Sequence, residues 1–169
     1  MWGGCAVIFV TVGHQMPFDR LIRAMDEWAG AQSRSDVFAQ IGRSDYQPKS
    51  MRTTAFLSPG EFEQRMDEAG AVVAHAGTGT IIAALQRGTP LLVLPRLSRF
   101  GETRNDHQVP TAKHFADAGY VLAATDEREL PQRMRDLEKF MPRATIGGAA
   151  SPELLGRLRR FIFDETIRG

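Results

Sequence analysis

Short apolar runs alternate along this chain with stretches whose apolar residues recur at helical spacing. The run Cys5-Ala6-Val7-Ile8-Phe9-Val10 predicts a strand over 5–12, ending at Gly13. From Pro17 the period changes, and Phe18, Leu21, Ile22, Met25 and Trp28 fall on one helical stripe with Pro17 suited to the first turn. A polar link leads to a second strand over 37–41, closed by Gly42, and a third short strand is expected over 54–57. Ser58-Pro59-Gly60-Glu61 spells a helix start: Ser58 as cap, Pro59 in the first position, Glu61 three residues after the cap. That helix would carry Phe62, Met66 and Ala69 inward and end at Gly70. Ala71-Val72-Val73-Ala74-His75 reads as a buried strand that turns through Gly77 and Gly79 into a helix, with Gly88 as its stop. Another apolar strand over 90–95 precedes a charged loop and a helix from about 106 or 107 to 118, ended by Gly119. A short strand over 120–123, a helix over 126–140 and an amphipathic helix over about 152–167 complete the chain.

Apolar strands alternating with helices predict an α/β fold: a Rossmann-like open parallel sheet with helices on both faces. With 169 residues the chain suits one domain spanning 1–169 and a single substantial core. Hydrophobic residues at 43% and charged residues at 24% are ordinary for a globular protein. A formal net charge of +1 gives no electrostatic case for nucleic acid as a partner. The single cysteine, Cys5, excludes an intrachain disulfide and a cysteine metal cluster. The first apolar run has no preceding Lys or Arg and is too short to cross a bilayer, so a cytoplasmic protein is expected.

In an open α/β sheet, ligands bind beyond the carboxyl ends of the strands. The unusual polar clusters all follow strands: Gly13-His14-Gln15, His75 to Thr80, and Arg96 to Gln108. Gly77-Thr78-Gly79-Thr80 between strand and helix leaves backbone N–H groups unpaired at a positive helix end, which suits a phosphate or pyrophosphate. Alternative chemistries are poorly served. A nicotinamide fingerprint needs three glycines after the first strand, where only Gly13 stands. There is no Gly-Lys-Ser/Thr of a P-loop, no Gly-x-Ser-x-Gly elbow and no Asp-x-Asp pair to chelate a nucleotide-bound metal. His75 and His107 without a carboxylate set make weak metal ligands. What remains is a nucleoside diphosphate held by turn amides and a helix end, with no metal and no cofactor.

Three blocks sharpen this reading: Phe9-Val10-Thr11-Val12-Gly13 with Pro17-Phe18-Asp19-Arg20-Leu21-Ile22; His75-Ala76-Gly77-Thr78-Gly79-Thr80; and Pro95-Arg96, Gly101-Glu102, Arg104-Asn105-Asp106-His107-Gln108. Together they resemble the family-28 glycosyltransferase C-terminal domain, over about 7–121. Within it they resemble the soluble subunits of two-subunit enzymes: PssE-like glucuronosyltransferase subunits of exopolysaccharide assembly and, more distantly, the second GlcNAc transfer onto dolichyl pyrophosphate. The resemblance implies the donor-binding half of a GT-B enzyme. It further implies transfer of a sugar, with inversion, from a UDP-sugar to a lipid-pyrophosphate-linked saccharide at the cytoplasmic membrane face. A separate membrane-associated subunit would supply the acceptor half and the catalytic base; a homo-oligomer of the isolated chain stays open. Three positions depart from relatives: Ala83 where single-chain enzymes carry a ribose-binding Glu, His14 in place of a small hydroxyl residue, and Thr103 where many subunits have His.

The candidate nucleotide- and substrate-binding residues are Gly13, His14, His75, Gly77, Thr78, Gly79, Thr80, Arg96, Glu102, Arg104, Asn105, Asp106, His107 and Gln108. The glycine turn would cradle the pyrophosphate; as a plain strand–helix turn it would need small residues anyway. His75 reads equally as a nucleotide contact and as a packed histidine orienting the loop. Asp106 and Gln108 suit sugar hydroxyls, although Asn105 or Asp106 serves as well as a helix cap. Arg96 and Arg104 suit phosphate or a uronic carboxylate, or plain solvent. Glu102 would orient Arg104 or His107, or face water. Glucuronate is the first expectation for the sugar, with glucose and N-acetylglucosamine open. A nucleotide-binding regulatory or assembly subunit is the alternative function.

Overall fold

The computed structural model describes residues 7–143. Cys5 and the amphipathic stretch over 152–167 lie outside the described residues. The strands are β1 Val7–Thr11, β2 Val37–Gln40, β3 Arg52–Thr54, β4 Ala69–His75, β5 Leu91–Leu94 and β6 Leu122–Ala123. They form one sheet in the order β3-β2-β1-β4-β5-β6, with every pair parallel. The helices are α1 Asp19–Ala31, α2 Pro59–Glu68, α3 Thr78–Arg87, α4 Gln108–Asp117 and α5 Leu130–Leu137.

Alternation along the central strands splits the core in two. Ile8, Val10, Val12, Ala71, Val73, Leu92 and Leu94 face α1 and α5, where they meet Phe18, Leu21, Ile22, Met25 and Met134. Phe9, Val72, Ala74, Leu91 and Val93 face the opposite layer and pack with Met66, Ile81, Leu85 and Phe115. Both faces are covered, which is why these strands are apolar throughout rather than half polar.

Local signals place several boundaries. Ser58 Oγ accepts from Glu61 N while the Glu61 carboxylate accepts from Ser58 N, completing the expected capping box of α2. Gly88 and Gly119 take φ of +65° and +76°, stopping α3 and α4 in the left-handed conformation that glycine adopts without strain.

Other boundaries differ from the sequence reading. The third strand lies at Arg52–Thr54, ahead of the expected 54–57. It is an exposed edge strand, so pairing with β2 (Phe38 with Arg52, Gln40 with Thr54) fixes it rather than the apolar content of 55–57. Helix α2 stops at Glu68, and Ala69 and Gly70 already belong to β4. The helix expected over 126–140 is a 3₁₀ turn, Glu127–Glu129, followed by α5, whose start is marked by Pro131.

Strand order reverses between β1 and β4: the chain runs outward from β1 through β2 to β3, returns to β4, and runs outward the other way through β5 to β6. The loops after these two strands diverge to opposite faces and leave a crevice at their carboxyl ends.

Candidate functional site

At that crevice lies a cleft of about 400 Å³. The loop after β1 supplies Val12, Gly13, His14 and Gln15 to its lining; the turn after β4 supplies His75 to Gly79; β5 and α4 supply Arg96, His107, Gln108 and Thr111. The separation of these segments in sequence is removed by parallel pairing, which brings all the carboxyl ends to one edge.

The β4–α3 turn forms the floor. Gly77 is the cap residue of α3, with no side chain to bond the first-turn N–H groups. Those donors and the positive helix end face the cleft, an arrangement suited to an anion. A Cβ on Gly79 would meet nothing within 4 Å, so this position borders open space. A Cβ on Gly77 would lie 2.1 Å from His75 Cε1, and one on Gly13 would lie 2.9 Å from His75 Nε2. The imidazole is thus wedged between two glycine backbones, and both must lack side chains for it to fit.

Two glutamines brace the strand ends. Gln40 donates from Nε2 to the carbonyls of Gly13 (2.8 Å) and Ala55 (3.1 Å), and its Oε1 accepts from Thr11 Oγ1 (2.7 Å). This fixes the Gly13 turn against β2 and β3. Gln108 does the same on the other side of the cleft: its Oε1 accepts from Ala76 N (3.1 Å) and Arg96 N (3.2 Å), and its Nε2 lies 3.3 Å from His75 Nδ1.

Arg96 is buried, 3% exposed, and its guanidinium donates to three backbone carbonyls: Val12 (2.6 Å), Pro17 (2.9 Å) and Glu102 (3.0 Å). Among the described residues it makes no direct ion pair. Burial lowers its pKa to about 10, so the charge persists at neutral pH at the cleft. Burial also lowers the pKa of His75 to about 4, with repulsion from Arg96 and His107 adding to it, and the ring is uncharged at neutral pH.

The structure brings Gly13, His14, His75, Gly77, Thr78, Gly79, Arg96, His107 and Gln108 into one lining, and leaves the other candidates outside it. Thr80 is buried behind the turn. Glu102 neither orients Arg104 or His107 nor faces water. It is buried, paired through both oxygens with Arg20 (2.9 Å each), and accepts from Leu97 N. Asp106 does not cap α4; its carboxylate accepts from Ser98 N at 2.7 Å, closing the charged loop and holding its own pKa below the usual range. Asn105 bonds His107, which occupies the cap position without a side-chain cap bond. Arg104 is exposed. His14 is exposed and leans toward β3, its ring stacked 6.2 Å from Phe56. Arg96 departs most from expectation: three carbonyls occupy the fork that would otherwise clasp a uronic carboxylate.

Sequence reasoning passed over Gln40 and Arg20. Gln40 left a trace, as a polar residue closing the apolar run of β2. Arg20 stands in the first of the three motif blocks, but its pairing left no trace, because its partners Glu102, Glu127 and the Pro95 carbonyl are distant in sequence. Among the described residues no group of three or more His, Cys, Asp or Glu is placed to hold a metal, and no helix is long and apolar enough to cross a membrane.

Residues 7–149 match the Glycosyltransferase family 28 C-terminal domain. The chain belongs to this family. The family-28 domain is 30% identical over 109 residues to the UDP-N-acetylglucosamine transferase subunit ALG13 of Cryptococcus neoformans, covering 63% of this chain and 48% of that protein. It therefore spans about half the length of this curated relative. Its fold is that of the NMR solution structure of ALG13 (TM-score 0.57, 21% identity, 81% of this chain and 88% of the other). It is also that of MurG from Acinetobacter baumannii (TM-score 0.62, 15% identity, 94% and 51%), which matches the expected GT-B C-terminal architecture.

Proposed function

We propose that this family-28 domain is the donor-binding subunit of an inverting glycosyltransferase that uses a UDP-sugar. The observation that carries the reading is the glycine-walled cleft at the start of α3, set where the strand order reverses and lined by backbone donors. Cleavage of the donor leaves a nucleoside diphosphate, and charge grows on its pyrophosphate in the transition state. Fixed N–H groups and a helix N-terminus stabilise that charge without reorganising. Arg96, in the cleft lining with its guanidinium turned to three backbone carbonyls, adds positive potential. In this reading no metal or cofactor is required, and nucleotide affinity is unaffected by a chelator.

The acceptor half and its catalytic base belong to a second, membrane-associated subunit, and the acceptor is a lipid-pyrophosphate-linked saccharide. The domain works at the cytoplasmic face of the membrane through that partner, in exopolysaccharide assembly or a related glycan pathway. The name of the fungal relative favours N-acetylglucosamine as the sugar, and the engagement of Arg96 with carbonyls removes one support for glucuronate.

The test is transfer from labelled UDP-N-acetylglucosamine, UDP-glucuronate and UDP-glucose by the purified chain, alone and mixed with the acceptor subunit. Transfer only in the mixture supports the reading. Tight UDP binding with no transfer in any mixture would instead identify a regulatory or assembly subunit.

A further inference from the structure

The amide of Gln108 has one orientation that satisfies its surroundings. Two backbone N–H groups, of Ala76 and Arg96, point at one of its terminal atoms at 3.1 and 3.2 Å, and only the oxygen can accept both. The other terminal atom is therefore the NH₂ group, a donor, and it faces His75 Nδ1 at 3.3 Å. A donor facing Nδ1 requires a lone pair there, so the single ring proton of the uncharged imidazole sits on Nε2. Nε2 makes no hydrogen bond with any described residue. It lies on the ring edge lodged between Gly13 and Gly77, in the lining of the cleft.

We propose that Gln108 is a positioning residue of the donor site: by locking the proton of His75 onto Nε2, it presents an N–H donor to the cleft between the two glycine turns. This part is additional to a direct sugar contact: the oxygen is occupied by the chain itself, and the second proton of the amide is left over. It rests on the reading of the cleft as a phosphate site only for the identity of the ligand. Arg96, two residues beyond β5, and His107, just before α4, both disfavour a second proton on the ring, and His14 of the β1 loop borders the same cleft. The ring accordingly stays a singly protonated donor across the neutral range.

Long-range ¹H–¹⁵N spectra of histidine-labelled protein, recorded without nucleotide from pH 5.5 to 8, read both ring nitrogens directly. The expected result is a protonated Nε2 and a bare Nδ1 for His75, unchanged over the range. In Gln108→Glu, one carboxylate oxygen still accepts from Ala76 and Arg96, so the strand ends remain tied. The second oxygen then draws a proton to Nδ1. His75 becomes doubly protonated at the acid end and loses its Nε2 proton as pH rises. UDP affinity of this variant should fall as pH increases, while that of the parent stays flat. Gln108→Leu releases the ring, and its UDP affinity should drop about tenfold, the loss of one oriented hydrogen bond.

A His75 that carries its proton on Nδ1, titrates near an ordinary histidine value, or keeps the same nitrogen pattern in Gln108→Glu overturns the proposal. If the nitrogens behave as stated but UDP neither binds nor shifts them, the positioning role is supported and the nucleotide reading of the cleft is the part that fails.

Discussion

Gly77→Ala tests whether a wedged imidazole holds the site together. Gly77 has φ −81° and ψ 132°, which alanine adopts freely, so the backbone does not resist the change. The added methyl does. Its carbon would sit 2.1 Å from His75 Cε1, where contacts under 3.0 Å are essentially unknown, so ring and turn must separate by at least 0.9 Å. The ring has little room to retreat, because even the position that a Cβ of Gly13 would take lies 2.9 Å from Nε2, so that backbone is close behind it, and Gln108 Nε2 lies 3.3 Å from Nδ1. Overpacking of this kind costs about 1–3 kcal/mol. Alanine is also a poorer cap residue than glycine, which adds up to about 1 kcal/mol unrelated to the ring. A double-mutant cycle with His75→Ala separates the two, since the cap term is present in both backgrounds and cancels. Urea unfolding followed by circular dichroism should give a coupling of about 1–3 kcal/mol, with Gly77→Ala nearly harmless once the imidazole is gone. A coupling within about 0.5 kcal/mol of zero would refute the wedge.

Four further outcomes follow from the same geometry. Gly79→Leu projects into open space at the cleft, so calorimetric UDP affinity should fall at least about tenfold while the melting temperature moves by no more than about 3 °C. Arg96→Leu strips the donor from the carbonyls of Val12, Pro17 and Glu102 and should destabilise by about 3 kcal/mol or more in urea; a loss under about 1 kcal/mol would deny it a bracing role. Arg20→Ala abandons the buried Glu102 carboxylate and should cost about 3–5 kcal/mol by the same assay. Because the folded pKa of His75, about 4, lies below the value of about 6.5 for an unfolded histidine, the unfolded chain takes up the proton first as pH falls. Stability is then complete above about pH 6.5 and declines toward pH 4 by up to about 3 kcal/mol, and His75→Gln should flatten that part of the unfolding profile.

The linear sequence determined what short-range periodicity can encode. Apolar runs identified the buried strands, the Ser58–Glu61 pair marked the start of α2, Gly88 and Gly119 marked helix ends, and polar clusters after strands pointed to the sheet edge where the cleft lies. Each of these depends on residues within a turn or two of one another. The assignment of individual polar side chains was decided by tertiary structure. Arg96 is a brace because the free carbonyls of Val12 and Pro17, 84 and 79 positions away, come within reach of its guanidinium. Glu102 turns inward because Arg20 arrives from α1, and Gln108 is occupied because two adjacent parallel strands end with N–H groups aimed at it. A buried donor or acceptor must find a partner wherever the fold places one, and that requirement is satisfied between distant segments, beyond the reach of any local pattern.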